Sequence, residues 1–218
     1  IIGSPHGLAG NTGQVLKALA ESAEAAGFDV AIRSLAEARI EPCRGCNRCH
    51  VSGTCSIPDD FEKIKGEMAS ADAIVLASPN YIFSVSAQMK AFLDRCCGPL
   101  HCQMLRDRYG AAVVTSGGEG SAEVETYLLR FLRAMGCWTV GSVGAQASAL
   151  SGPRREDVMR SAAGLGRALA DAVAECRLFP EQAAERDAFF NRMKQLVSQM
   201  RPHWPYEAKY WAEKGWMA

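Results

Sequence analysis

Residues 73–95 read Ala73-Ile74-Val75-Leu76-Ala77-Ser78-Pro79-Asn80-Tyr81-Ile82-Phe83-Ser84-Val85-Ser86-Ala87-Gln88-Met89-Lys90-Ala91-Phe92-Leu93-Asp94-Arg95. The first five form an unbroken apolar run, the pattern of a strand buried on both faces. Ser78-Pro79-Asn80 ends that run. From Ser86 to Arg95 the chain reads as a helix, with Ala87, Met89, Phe92 and Leu93 as packing residues. A buried strand, a polar loop and a helix in that order make half of a βαβ unit.

The same alternation extends in both directions. Downstream, Tyr109–Thr115 is a strand running into Ser116-Gly117-Gly118-Glu119-Gly120, followed by a helix over Ala122–Met135 and a strand near Trp138–Val143. Upstream, Ile1–Gly3 reads as the end of a first strand and Gly13 to about Ala26 as a helix closed by Gly27. Phe28–Ile32 is a second strand, and Asp59-Asp60 could cap a helix over Phe61–Ala69. Leu35 to about Asp59 has no clean period and reads as an inserted loop; a stretch that long without structure is usually functional. After Pro153 come an alanine-rich helix to about Glu175, another over Gln182–Met200, and an aromatic tail. The expectation is an α/β fold: a doubly wound, five-stranded parallel sheet of the flavodoxin kind. Residues 1–150 form the main domain with the cysteine loop at 35–59, and 151–218 add C-terminal helices. Ligands of such sheets sit at the strand C-terminal ends.

Composition narrows the function classes. In 218 residues, 24 Lys+Arg balance 24 Asp+Glu, leaving no footprint for nucleic acid or an anionic membrane. At 48% hydrophobic and 22% charged, the chain resembles an ordinary globular protein. No apolar run approaches the roughly 18 residues of a spanning helix. A cytoplasmic location is expected. The chain opens inside what reads as a strand, so the true N-terminus is expected upstream of Ile1.

Three loops follow strands at one sheet edge. Ser4-Pro5-His6-Gly7-Leu8-Ala9-Gly10-Asn11-Thr12 lies where a parallel sheet places its anion site, at the start of a helix. Ser4, Asn11 and Thr12 can donate to phosphate oxygens, and His6 can face them. The loop has neither G-x-x-x-x-G-K-S/T nor G-x-G-x-x-G, which disfavours a nucleoside triphosphatase and a dinucleotide site. It points instead to the phosphate of FMN; a plain βα turn with a Thr cap is the alternative. The loops at 78–86 and 116–120 offer aromatic faces and close backbone approach to a flat ring. For Tyr81 and Phe83, core packing is as good a reading as flavin contact.

Four of nine cysteines form Cys43-x2-Cys46-x2-Cys49-x5-Cys55. Two-residue gaps let successive thiolates converge on one cluster, with a fourth from slightly further along. A single [4Fe–4S] cluster is the sharp reading, with structural zinc or four metal-free thiols as rivals. Cys96, Cys97, Cys102, Cys137 and Cys176 lack ligand spacing and read as small apolar residues. His50 and His101 read as structural or solvated.

Ser4-Pro5…Gly10-Asn11-Thr12, the cysteine run, Asp59-Asp60, and Ser78-Pro79…Tyr81…Ser84-Val85-Ser86-Ala87…Lys90…Asp94-Arg95 together resemble the iron–sulfur flavoprotein family, within the wider NADPH-dependent FMN reductase and flavodoxin-like group. The tail Tyr210-Trp211…Lys214-Gly215-Trp216 is similar as well. The resemblance implies FMN plus one [4Fe–4S] cluster per subunit in a homodimer or homotetramer, with one subunit's cluster near a neighbour's flavin. It assigns Cys43, Cys46, Cys49 and Cys55 to the cluster and Ser4, His6, Asn11 and Thr12 to the phosphate, although the family often has Arg in place of His6. Pro79, Asn80, Tyr81, Phe83, Ser84, Ser116, Gly117 and Gly118 would line the flavin.

The donor would be a ferredoxin or NAD(P)H and the acceptor a small oxidant. No protein nucleophile or acid–base pair is required, because the cofactors carry the chemistry. A cluster-free NAD(P)H-dependent FMN or quinone reductase is the alternative. Trp204, Trp211 and Trp216, with Tyr206 and Tyr210, suggest a subunit contact or packing on the same chain.

Overall fold

The computed structural model describes residues 1–217; Ala218, the last residue of the expected C-terminal region, lies outside them. Its centre is a sheet of β1 (Ala73–Tyr81), β2 (Ser84–Val85), β3 (Tyr109–Ser116) and β4 (Trp138–Gln146), in the order β2-β1-β3-β4. β1, β3 and β4 are parallel, while β2 turns back antiparallel on the end of β1.

The sheet therefore has four strands among the described residues, not the five expected. Ile1–Gly3 contributes isolated parallel bridges from Ile2 to Ala77 and to Ser34. Ile2 N–H donates to Arg33 O at 2.8 Å and Leu35 N–H to Ile2 O at 2.9 Å. Phe28–Ile32 itself forms no strand: the backbone that bonds Ile2 is that of Arg33 and Leu35, just past the expected stretch.

Side chains on the parallel strands alternate with period two, which divides the core into two layers. Leu76, Ala112 and Val114 face one layer with α3 (Phe61–Ser70), α4 (Ala87–Asp94) and α6 (Ser121–Ala134), where Phe61, Phe92, Leu128 and Leu132 are buried. Ala77, Ala111 and Val113 face the other, against α1 (Asn11–Ala25) and α8 (Arg155–Ala174). α1 and α8 cross closely because α8 presents Gly166: a Cβ there would lie 2.2 Å from Leu19 O. A third cluster joins α9 (Pro180–Met200) and α10 (Pro205–Glu213) around Val197 and Trp211. Three short α-helices, α2 (Arg48–Ser52), α5 (Cys97–His101) and α7 (Ala147–Leu150), and one 3-10 turn at Gly7–Ala9 complete the described residues.

Candidate functional site

The parallel register brings the three loops to one end of the sheet. Ile2 is level with Ala77, and Pro79 is level with Thr115, so residues 4–12, 79–86 and 115–120 all leave from strand C-terminal ends. Ser4 and Thr12 are buried, and His6 and Asn11 are exposed. Thr12 Oγ1 and Thr115 Oγ1 share a hydrogen bond of 2.6 Å, which ties the start of α1 to the end of β3. Ser4 O accepts from Gly7 N–H at 2.9 Å and Ser4 Oγ from His6 N–H at 3.2 Å, which curls the loop. α1 begins after Gly10 in extended backbone, and no side chain caps it. Its first N–H groups remain available to an anion.

β1 and β2 form a hairpin whose turn residues, Ile82 and Phe83, both have positive φ, 49° and 60°. Asn-Gly is the usual occupant of such a turn, and a β-branched residue there is strained. Ile82 is 91% exposed and Phe83 76%, and Tyr81 is exposed as well. Tyr81 and Phe83 thus lie outside the core of the chain. Phe83 lies against the glycine loop: a Cβ on Gly120 would come within 3.2 Å of its ring. Asn80 Nδ2 donates to Glu119 O at 3.0 Å, while its Oδ1 is buried without a partner. Gly117 and Gly118 face open space. An orphaned buried acceptor beside open glycines and an uncapped helix start fits a phosphorylated planar ligand such as FMN.

The cysteine loop is pinched at its base. Asp59 Oδ2 accepts from Glu41 N–H at 2.8 Å, and Asp60 Oδ2 accepts from Arg39 N–H at 2.8 Å. Asp59, not Asp60, also holds the start of α3, accepting from Phe61 N–H at 3.2 Å. The Arg95 guanidinium pairs with Asp59, both side chains fully buried, and Arg95 Nη1 donates to Glu41 O at 3.3 Å. Burial opposes the Asp59 charge, but Arg95 and the two backbone donors outweigh it and hold the carboxyl below its usual range.

Within the loop, Gly45, Asn47 and Gly53 take positive φ and make the turns. Cys43 and Cys46 are exposed; Cys49 and Cys55 are half-buried. Hydrogen bonds from Ser56 and the Arg48 backbone pull the Cys46 thiol down. Burial, with Cys97 and Glu207 adding, pushes Cys49 up to about 11. Arg95 Nε and Nη2 are buried without partners. Burial opposes the Arg95 charge, but Asp59 and the neighbouring Cys55 thiol outweigh it and hold its pKa above the ordinary value. Buried N–H donors beside the Cys55 thiol fit a sulfur-rich anionic cluster, whose sulfurs take such hydrogen bonds.

Residues 1–149 match the family model described as NADPH-dependent FMN reductase. An iron–sulfur flavoprotein of Archaeoglobus fulgidus is 32% identical over 100% of this chain and 98% of its own length. The chain belongs to the iron–sulfur flavoprotein group of the FMN reductase family. It is an FMN-dependent oxidoreductase. An iron–sulfur flavoprotein of Methanocaldococcus jannaschii is 39% identical over 58% of this chain and 65% of its own length. A flavodoxin, WrbA-like protein from Agrobacterium tumefaciens superposes with a TM-score of 0.54 at 19% identity, covering 78% of this chain and 93% of that one. That likeness establishes the flavodoxin-like fold. No helix among the described residues is long and apolar enough to cross a membrane.

Sequence reasoning missed one group of this family member's residues. Cys97, read as a buried apolar residue, is exposed, with its Sγ 3.8 Å from His101 Nε2. His50 and His101 stack on each other and on Trp204, and Glu207, 0% exposed, holds Nδ1 of both rings. Burial opposes charge on His101, but its bonds to Cys97 and Glu207 outweigh that and raise its pKa to about 9. The i, i+4 spacing of Cys97 and His101 was the available signal. The tail also packs on its own chain: Trp211 is fully buried and Trp204 covers the histidines.

Proposed function

We propose that the protein passes electrons between a ferredoxin-like one-electron donor, or NAD(P)H, and a small oxidant through a [4Fe–4S] cluster and FMN. Cys43, Cys46, Cys49 and Cys55 would hold the cluster. Ser4, His6, Asn11 and Thr12 would hold the FMN phosphate, and Pro79, Asn80, Tyr81, Phe83, Ser84, Ser116, Gly117 and Gly118 would line its ring. When bound, FMN supplies one- or two-electron chemistry and the cluster single-electron transfer.

The chain's own contribution is positional. Thr12 and Thr115 lock the helix start to the sheet end, so the phosphate donors share one rigid frame. Asn80 Oδ1 offers an acceptor to the ring's polar edge. Asp59 and Arg95 close the base of the cysteine loop, and Arg95 keeps donors free for sulfur. The buried Arg95 N–H groups beside the Cys55 thiol carry the cluster reading. The exposed Tyr81–Phe83 tip supports assembly as a homodimer or homotetramer, because a strained apolar tip is otherwise costly to leave in water. We place residues 1–150 as the FMN domain, 151–218 at subunit contacts, and the protein in the cytoplasm.

Anaerobic purification with iron, labile sulfide and FMN counted per chain tests the reading. About four irons and one FMN support it. Flavin without iron under strict anaerobiosis would leave a cluster-free NAD(P)H-dependent reductase.

A further inference from the structure

One side-chain group, which joins His50 of the cysteine loop to Cys97 and His101 of α5, carries metal-ligand chemistry that the proposed electron path does not use. Ligand atoms of His50, Cys97 and His101 lie within 4.8 Å of one another. We propose that these three residues bind a zinc-class divalent ion at a site that borders Cys49 but uses none of the four cysteines assigned to the cluster.

The spacing suits such an ion. Zinc bonds of about 2.0 Å to nitrogen and 2.3 Å to sulfur in a tetrahedron hold N and S roughly 3.5 Å apart. Cys97 Sγ and His101 Nε2 are 3.8 Å apart, within a few tenths of an ångström of that spacing, and the three ligand atoms, up to 4.8 Å apart, draw together on the ion.

The ring orientations suit it as well. Glu207 Oε1 meets His50 Nδ1, and Oε2 lies 3.2 Å from His101 Nδ1. With both Nδ1 atoms turned to a carboxylate, each ring presents Nε2 as the free ligand atom, the arrangement that orients histidines at metal centres. Trp204 stacks on both rings, with centroids 4.6 and 4.8 Å away, and limits their rotation. The ring orientations are set before an ion binds.

Charge and access complete the fit. The Cys97 thiolate and the Glu207 carboxylate together balance a divalent ion, which lowers the cost of burying it. Two imidazoles and a thiolate favour zinc over magnesium or calcium. Cys97 is exposed, so the ion has a path in, and three protein ligands leave a fourth position for water. Binding releases the thiol proton to solvent and changes no oxidation state.

The test uses anaerobically purified holoprotein, incubated with zinc sulfate, passed over a chelating resin, and analysed for zinc and iron in the same sample. One zinc per chain is expected in addition to the iron. Cys97→Ala, a change at an exposed thiol, should abolish retained zinc while leaving iron and FMN unchanged. Glu207→Gln should weaken zinc binding about 10- to 100-fold. The double variant Cys43→Ala/Cys46→Ala should lose iron and keep zinc, which separates this site from zinc in the cysteine run. No retained zinc, or zinc retained by Cys97→Ala, overturns the proposal. Because iron and zinc are counted separately, its failure is distinguishable from failure of the cluster assignment.

Discussion

Replacing Asp59 with Ala should destabilise the protein by more than any surface charge change. The substitution strands the Arg95 guanidinium in a fully buried position and removes the acceptor for Glu41 N–H and Phe61 N–H. Breaking a buried pair from one side costs about 3–5 kcal/mol, mostly the penalty of an uncompensated charge. With a urea slope of roughly 3 kcal/mol per molar, the unfolding midpoint should fall by about 1–1.7 M, read by far-ultraviolet circular dichroism.

The pH dependence has a definite sign. The Asp59 carboxyl is held below its usual range in the folded state, so its stabilisation is present above the unfolded value near 3.9. That stabilisation is lost as pH falls through the lower folded value. Wild type should lose this increment below about pH 4 and Asp59→Ala should lack it. A midpoint change under about 0.2 M, or an identical acid profile in the two proteins, would show that the pair does not hold the loop base, and the reasoning from burial would fail.

Other changes have outcomes as definite. Cys46→Ala should abolish the cluster's electron paramagnetic resonance signal while FMN absorbance stays; persistent iron would remove Cys46 from the ligand set. Gly166→Val pushes a side chain into Leu19 O, where even a Cβ comes within 2.2 Å, and should cost about 1–3 kcal/mol in thermal unfolding. Ile82→Asn relieves a β-branched residue held at φ 49° and should raise stability by about 1 kcal/mol; a loss instead would show that the exposed Ile82 side chain has a stabilising partner. Asn80→Ala removes the unpartnered acceptor and should weaken FMN binding, measured by fluorescence titration, about tenfold.

The elements around β1 and β3 were legible because their signals are local. An apolar run of five residues, a Ser-Pro-Asn stop and a helical period need no distant partner to be read. The same holds for the cysteine run, whose ligand spacing lies within one short segment. Phe28–Ile32 misled because its composition suits a strand, yet a strand exists only through its neighbour, and Ile2 bonds to Arg33 and Leu35 instead. Asp60 was an equally good cap on paper; the choice of Asp59 came from Arg95, thirty-six positions away.

By itself the sequence determined the βα alternation, the polar loop before the first helix and the four-cysteine segment, since periodicity and spacing are properties of neighbouring residues. Tertiary structure alone decided that Arg95 closes the cysteine loop, and that Phe83 stands in solvent over a glycine loop. It also decided that Glu207 meets His50 across 157 positions and His101 across 106. Those meetings depend on how helices cross and where the tail folds back. That is set by burial summed over the whole core, and no short stretch of the chain encodes it.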